Sequence, residues 1–114
     1  MEVRRGDIFL VDLSPVVGTE QAGIRPALII QRDTANISSP QTIIVPFTTR
    51  IREVILPSHV KISAGVGGLT EDSVLLCEQI RVIDKGRLVR RTGNIGEEDL
   101  KKVALALKVI LGLE

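Results

Sequence analysis

The sequence predicts a small, mainly β protein: short strands curled into a barrel or sandwich, followed by one C-terminal helix. Three observations carry that expectation. Apolar runs of strand length recur along most of the chain and are cut by Gly- and Pro-containing turns. A helical period appears clearly only in Glu97 to Leu111. The 114 residues suit one core and leave little room for a second, so residues 1–114 read as a single domain.

Taken in order, Ile8 to Leu13 reads as a strand, apolar on both faces apart from Asp12. Ser14 to Arg25 is a polar loop with Pro15, Gly18 and Gly23, and loops of that length in compact domains are often functional. Ala27 to Gln31 reads as a buried strand and Thr34 to Pro40 as a turn-rich connection. Thr42 to Phe47 is a third strand, which Pro46 should restrict to an edge or bring near its end. Arg52 to Leu56 and His59 to Ile62 are short strands split by Pro57. Ala64 to Gly68 is a turn. It is a poor phosphate loop, because no Lys-Ser or Lys-Thr follows and no helix opens there. Ser73 to Ile83 reads as the longest strand, and Asp84-Lys85-Gly86 as a hairpin turn into Arg87 to Thr92. In the final helix Leu100, Val103, Ala104, Leu107 and Leu111 share a face. Asn94 and Glu97 have capping-box spacing, with Gly96 as an alternative cap. Acids lead this helix and Lys108 sits late in it, as the helix dipole favours.

Composition narrows the function. Phe9 and Phe47 are the only aromatics, so the core is built from Val, Ile and Leu. An RNA module that stacks many bases on rings, or a proline-reading SH3 groove, lacks its material. The net charge of +1 leaves room for a local basic groove but not for a strongly basic nucleic-acid binder. Cys77 is the only cysteine, which fits a reducing cytoplasm. There is no signal-peptide pattern and no run long enough to span a bilayer. No metal site or cofactor is expected, since His59 and Cys77 are single and far apart.

Several residues stand out. Arg25 precedes Pro26, which keeps it extended, and a buried strand follows at once. A guanidinium held in this way suits phosphate, although position alone favours a surface or loop-bracing arginine. Pro46-Phe47-Thr48-Thr49-Arg50 ends a strand and can present hydroxyls and charge together. Glu78 falls on the apolar parity of Val74, Leu76, Ile80 and Val82, so it should be paired, as in a structural ion pair with an arginine, or lie at a bulge or barrel mouth. Gln79 points the other way and offers both donor and acceptor to a base edge. His59 alternates with Val60 and Ile62 and is expected on the outer face.

Read together, these stretches resemble the MazF/PemK toxin family. The likeness runs through Arg5-Gly6-Asp7-Ile8-Phe9-Leu10-Val11-Asp12-Leu13 and Gly23-Ile24-Arg25-Pro26-Ala27-Leu28-Ile29-Ile30. It continues in Val45-Pro46-Phe47-Thr48, Leu56-Pro57-Ser58-His59-Val60 and Asp72-Ser73-Val74-Leu75-Leu76-Cys77-Glu78-Gln79-Ile80-Arg81. It covers about residues 4 to 111, and its specificity lies in the order and spacing of the motifs together.

The resemblance implies an SH3-like barrel with a C-terminal helix, assembled as a homodimer. The implied activity is sequence-specific, metal-independent cleavage of single-stranded mRNA, leaving 2′,3′-cyclic phosphate and 5′-hydroxyl ends. A MazE-like antitoxin, partly disordered when free, would block the RNA groove, and operator DNA would be bound only through the toxin–antitoxin complex. The resemblance makes Arg25 and Thr48 the catalytic residues; Glu20, in the Ser14 to Arg25 loop, is a separate candidate for the general base that the resemblance does not supply. The RNA contacts would come from Thr19, Glu20, Gln21, Arg50, Leu56, Pro57, His59, Gln79 and Arg81. The rival reading is a toxin of the same fold that binds DNA gyrase and cleaves nothing. That branch resembles itself in a Trp-bearing tail, which this chain lacks.

Overall fold

The computed structural model describes residues 1–15, 17–18, 20, 23–51 and 56–113. Among the described residues there are seven strands: β1 (Asp7–Asp12), β2 (Ile24–Ile29), β3 (Gln41–Thr48), β4 (His59–Ile62), β5 (Ser73–Leu76), β6 (Arg81–Asp84) and β7 (Leu88–Asn94). A short helix α1 (Asp33–Ser38) joins β2 to β3, and α2 (Glu97–Leu111) closes the chain. The strands pair antiparallel in the order β4-β5-β3-β2-β1-β7, with β6 also on β3. This is the mainly β class with a terminal helix that the sequence predicts. The ladder among the described residues is open, with no pairing between β4 and β7.

Strand β3 organises the sheet by changing partners along its length. Gln41 to Ile44 pair with β6, Ile44 to Pro46 with β2, and Phe47 and Thr48 with β5. Pro46 therefore sits inside a central strand, two residues before its end, at the point where the partner changes. Alternation along the strands then makes two cores. On one face Ile8, Leu28, Val45, Phe47, Leu75 and Cys77 pack with Val103 and Ala106 of α2. On the other, Phe9, Val11, Leu13, Ala27, Ile29, Ile44, Ile83 and Leu88 form the second core.

The structure corrects the sequence reading in several places. Asp33 to Ser38 is helical where a turn-rich connection was expected. Its buried Asn36 accepts from Thr42 Oγ1 and Gln31 Nε2 and donates to the Gln31 carbonyl, a local network that no period announces. The long strand Ser73 to Ile83 is broken by a 3₁₀ turn at Cys77–Gln79. The break shifts the parity, so Ile83 is buried and Val82 exposed. Asp84-Lys85-Gly86 does not close a hairpin: β6 pairs with β3 and β7 with β1, and the 3₁₀ turn Lys85–Arg87 carries the chain between them. On α2, Ala106 joins Val103 in the core while Leu111 is exposed. The strand expected at Arg52 to Leu56 lies outside the described residues except for Leu56. No described helix is long and apolar enough to cross a membrane.

Candidate functional site

The second core ends in an opening. Beyond the Ala27–Pro46 pair, β3 leaves β2 for β5, so the two strands part. The same register carried two residues further would set Arg25 opposite Thr48. Arg25 lies within β2, opposite Val11 on β1, and shares a strand face with Ala27 and Ile29. Thr48 shares the face of Ile44 and Pro46, and Arg81, opposite Ile44, that of Ile83. The apolar face thus gives way at its mouth to two guanidiniums and a hydroxyl. Alternating strands deliver them to the same end of the core.

A cleft of ≈ 180 Å³ lies at this mouth, lined by Leu13, Glu20, Pro46, Glu78, Gln79, Ile80 and Arg81. It brings together Glu20, Gln79 and Arg81, which lie far apart in sequence. Glu20 is exposed, and its Oε1 accepts from the Val17 amide at 2.7 Å, so the carboxylate is steadied by its own loop. Arg81 Nη1 reaches the Leu13 carbonyl at 3.5 Å, a long contact. Thr48 is buried, and its Oγ1 accepts from the Arg50 amide at 3.1 Å. That contact uses an oxygen lone pair and leaves the hydroxyl proton for another acceptor. Arg50, Leu56 and Pro57 are exposed. Thr19 and Gln21 lie outside the described residues.

Glu78 and His59 join the edge of the cleft to the turn before β4. His59 Nε2 lies 2.9 Å from Glu78 Oε2, and Ser58 Oγ donates to Glu78 Oε1 at 3.1 Å. On the other side of the ring, Nδ1 accepts from the Leu56 amide at 3.4 Å. An imidazole carrying its proton on Nε2 meets both demands. Burial pushes the Glu78 carboxyl up, but the hydrogen bond from His59, the one from its own backbone, the attraction of His59 when it is protonated and the Ser58 hydroxyl outweigh it. They hold the group below its ordinary value. The partner is therefore a histidine where the sequence suggested an arginine. His59 itself is not on an open outer face, since its side chain is only 9% exposed. The 3₁₀ turn at Cys77–Gln79 explains both differences, because it takes Glu78 off the strand parity and turns it toward β4.

Sequence reasoning missed Ser58 as a partner of Glu78, and Arg87, which donates to the carbonyls of Asp12 and Ser14 at the root of the Glu20 loop. Arg87 reads in sequence as the first residue of a strand, and nothing local marks its reach. Among the described residues no group of three or more His, Cys, Asp and Glu side chains is placed to hold a metal ion. The side chains at the cleft and the adjoining strand ends offer guanidinium, hydroxyl and carboxylate, which suit charge stabilisation and proton movement on a phosphodiester.

Comparison with known proteins gives a consistent result. Residues 4–111 match a family described as the PemK-like, MazF-like toxin of type II toxin–antitoxin systems. Endoribonuclease EndoA of Bacillus subtilis (strain 168) is 48% identical over 113 residues, covering 99% of this chain and 97% of its own. Endoribonuclease MazF of Staphylococcus saprophyticus is 47% identical over 111 residues, covering 97% and 92%. Among solved structures, MazF (Form-I) from Deinococcus radiodurans superposes with a TM-score of 0.85 at 25% identity, covering 98% of each chain. An endoribonuclease in complex with its cognate antitoxin, from Mycobacterial species, shares the fold with a TM-score of 0.82 at 22% identity, covering 98% of this chain and 97% of its own.

Proposed function

The chain belongs to the PemK-like, MazF-like family of type II toxin–antitoxin toxins, and from that membership we propose that it is a sequence-specific endoribonuclease. It cleaves single-stranded mRNA without a metal and so arrests translation. The observation that carries this reading is the cleft at the parting of β2 and β3, where Glu20, Gln79 and Arg81 converge beside the strand ends bearing Arg25 and Thr48.

In the proposed reaction the 2′-oxygen attacks the adjacent phosphorus. A new 2′-O–P bond forms, the bond from phosphorus to the 5′-oxygen breaks, and the products are a 2′,3′-cyclic phosphate and a 5′-hydroxyl. The 2′-hydroxyl proton passes to Glu20, water protonates the departing 5′-oxygen, and Glu20 returns its proton to solvent after the step. Arg25 stabilises the charge of the phosphorane with its planar fork of donors. It keeps its own proton, because an arginine side chain does not readily give one up. Thr48 donates its hydroxyl to a phosphate oxygen. Gln79 and Arg81 line the cleft where unstacked base edges can be read, and Thr19, Gln21, Arg50, Leu56 and Pro57 extend the RNA track, with His59 supporting it from beneath through Glu78 and the Leu56 amide rather than touching RNA. Glu78 serves as a structural ion-pair partner.

The same reading takes residues 1–114 as one toxin domain acting in the cytoplasm as a homodimer, which would cover exposed apolar residues such as Leu105, Val109 and Leu113. A MazE-like antitoxin neutralises it, and operator DNA is bound only through that complex. The test compares wild type with Arg25→Ala and Thr48→Ala on a long RNA. Loss of one positioned transition-state donor should lower kcat by about 10²–10³-fold. Variants that cut at the wild-type rate would remove these residues from catalysis.

A further inference from the structure

We propose that Arg87 is a positioning residue for this reaction: its guanidinium clamps the neck of the Ser14–Gly23 loop and thereby fixes Glu20 and Arg25 against the cleft. The role rests on the function proposed above.

The neck is defined by contacts on both sides. The Leu13 amide donates to the Gly23 carbonyl at 3.0 Å. The Gly23 amide donates back to Ser14 Oγ at 3.2 Å, and the Ser14 amide donates to Asp12 Oδ1 at 3.0 Å. These bonds close the loop through amides and side chains. Two arginines reach the backbone carbonyls of Asp12, Leu13 and Ser14 from outside it. Arg87 Nη1 donates to the Asp12 carbonyl at 3.1 Å and also to that of Ser14, while Arg81 Nη1 makes its long contact with Leu13 between them. A charged donor makes a stronger bond than a neutral one. One terminal nitrogen carries two protons, so a single guanidinium can bridge two carbonyls on one segment.

The placement follows from the topology. Leu88, the residue after Arg87, pairs with Val11, so β7 begins beside the last residues of β1. The crossing from β6 to β7 thus places Arg87 at the root of the loop. A hairpin would have kept it beside β6. On the far side of the neck, Gly23 leads directly into Ile24 and Arg25 of β2. A loop hinged at an unclamped neck would let Glu20 and Arg25 drift relative to Thr48, and misplacement by an ångström costs about 10²-fold in well-oriented reactions.

The test uses full-length Arg87→Ala and Arg87→Lys against wild type, with cleavage kinetics and amide hydrogen exchange. Arg87→Ala is expected to lower kcat by about 10- to 100-fold with KM within threefold. Arg87→Lys, which keeps the charge and the donors on a different stem, is expected to recover part of the loss. Exchange at the Leu13 and Gly23 amides should quicken at least about tenfold in Arg87→Ala while that of α2 stays unchanged. A fall in α2 protection as well would show general destabilisation and overturn the clamp, as would kcat within twofold of wild type. If Arg87→Ala does not fold, the same criteria apply to Arg87→Lys. A wild type that cuts no RNA would remove the proposed function and this role with it. An active wild type with an indifferent Arg87→Ala would remove the role alone.

Discussion

Replacing Glu78 with Gln isolates the pair that ties the turn before β4 to the cleft. The carboxylate accepts from Ser58 Oγ and faces His59 Nε2. The amide that replaces it carries a donor on one side. If that donor meets His59, the imidazole must move its proton to Nδ1, where it then opposes the Leu56 amide. If the amide is turned about, Ser58 Oγ must accept from it, and the Ser58 hydroxyl proton loses its acceptor. Either way one charge-assisted bond is lost and one donor is badly placed. Bonds to charged groups contribute about 1.5–3 kcal/mol. With the Glu78 side chain 32% exposed, solvent screening reduces this to about 1–2 kcal/mol. At about 4–5 °C per kcal/mol for a domain of this size, Tm should fall by roughly 4–10 °C at pH 7.

The pH dependence has a definite sign. The folded Glu78 carboxyl lies below its ordinary value, so its stabilisation is fully present above the unfolded carboxylate pKa of about 4.3. It is lost as pH falls through the folded value. The gap between wild type and Glu78→Gln should therefore hold at neutral pH and close in the acid range. Calorimetry of both proteins from pH 7 downward measures it. Equal Tm values at pH 7, or a gap that persists unchanged into acid, would refute the reasoning.

Other outcomes follow from the same geometry. Glu20→Gln should slow single-turnover cleavage while leaving Tm within about 2 °C, and an unchanged rate would exclude Glu20 as the base. Gly93→Ala would place a Cβ 2.6 Å from the Gly67 carbonyl carbon. Because backbone must shift, a cost of about 2–3 kcal/mol and a Tm lowered by roughly 10 °C are expected by thermal unfolding. Burial, with a smaller effect of the Glu78 charge, pushes the Cys77 thiol up to about 12. Its thiolate fraction at pH 8 is then on the order of 10⁻⁴, so alkylation of the native protein should be negligible. Rapid stoichiometric labelling would contradict that.

What was legible in the sequence was what repeats. The final helix was readable because Leu100, Val103 and Leu107 recur at helical spacing behind a run of acids. The first strands were readable as dense β-branched runs. The α1 helix was hidden because six residues make fewer than two turns, and Thr34, Asn36 and Ser38 read as turn residues. The break at Cys77–Gln79 was hidden for a different reason. A 3₁₀ turn inside an apolar stretch changes parity without a Gly or Pro to mark it. For the site, the motif order pointed to Arg25 and Thr48, and the strand register explains how one end of the core can present both. The Ser58–Glu78–His59 cluster and the Arg87 contacts join residues up to 75 positions apart. Such contacts depend on which strands become neighbours, and no local pattern encodes that.

Every role assigned at the cleft depends on metal-independent attack by a 2′-hydroxyl. It is tested most directly by incubating purified wild-type protein with a long RNA in EDTA and identifying the end groups by mass spectrometry. The same cut site carrying a single 2′-deoxynucleotide on its 5′ side serves as the comparison. Cleavage in EDTA with 2′,3′-cyclic phosphate and 5′-hydroxyl ends is expected, and none at the deoxy site. Loss of cutting in EDTA, 5′-phosphate ends, or cleavage at the deoxy position would contradict it.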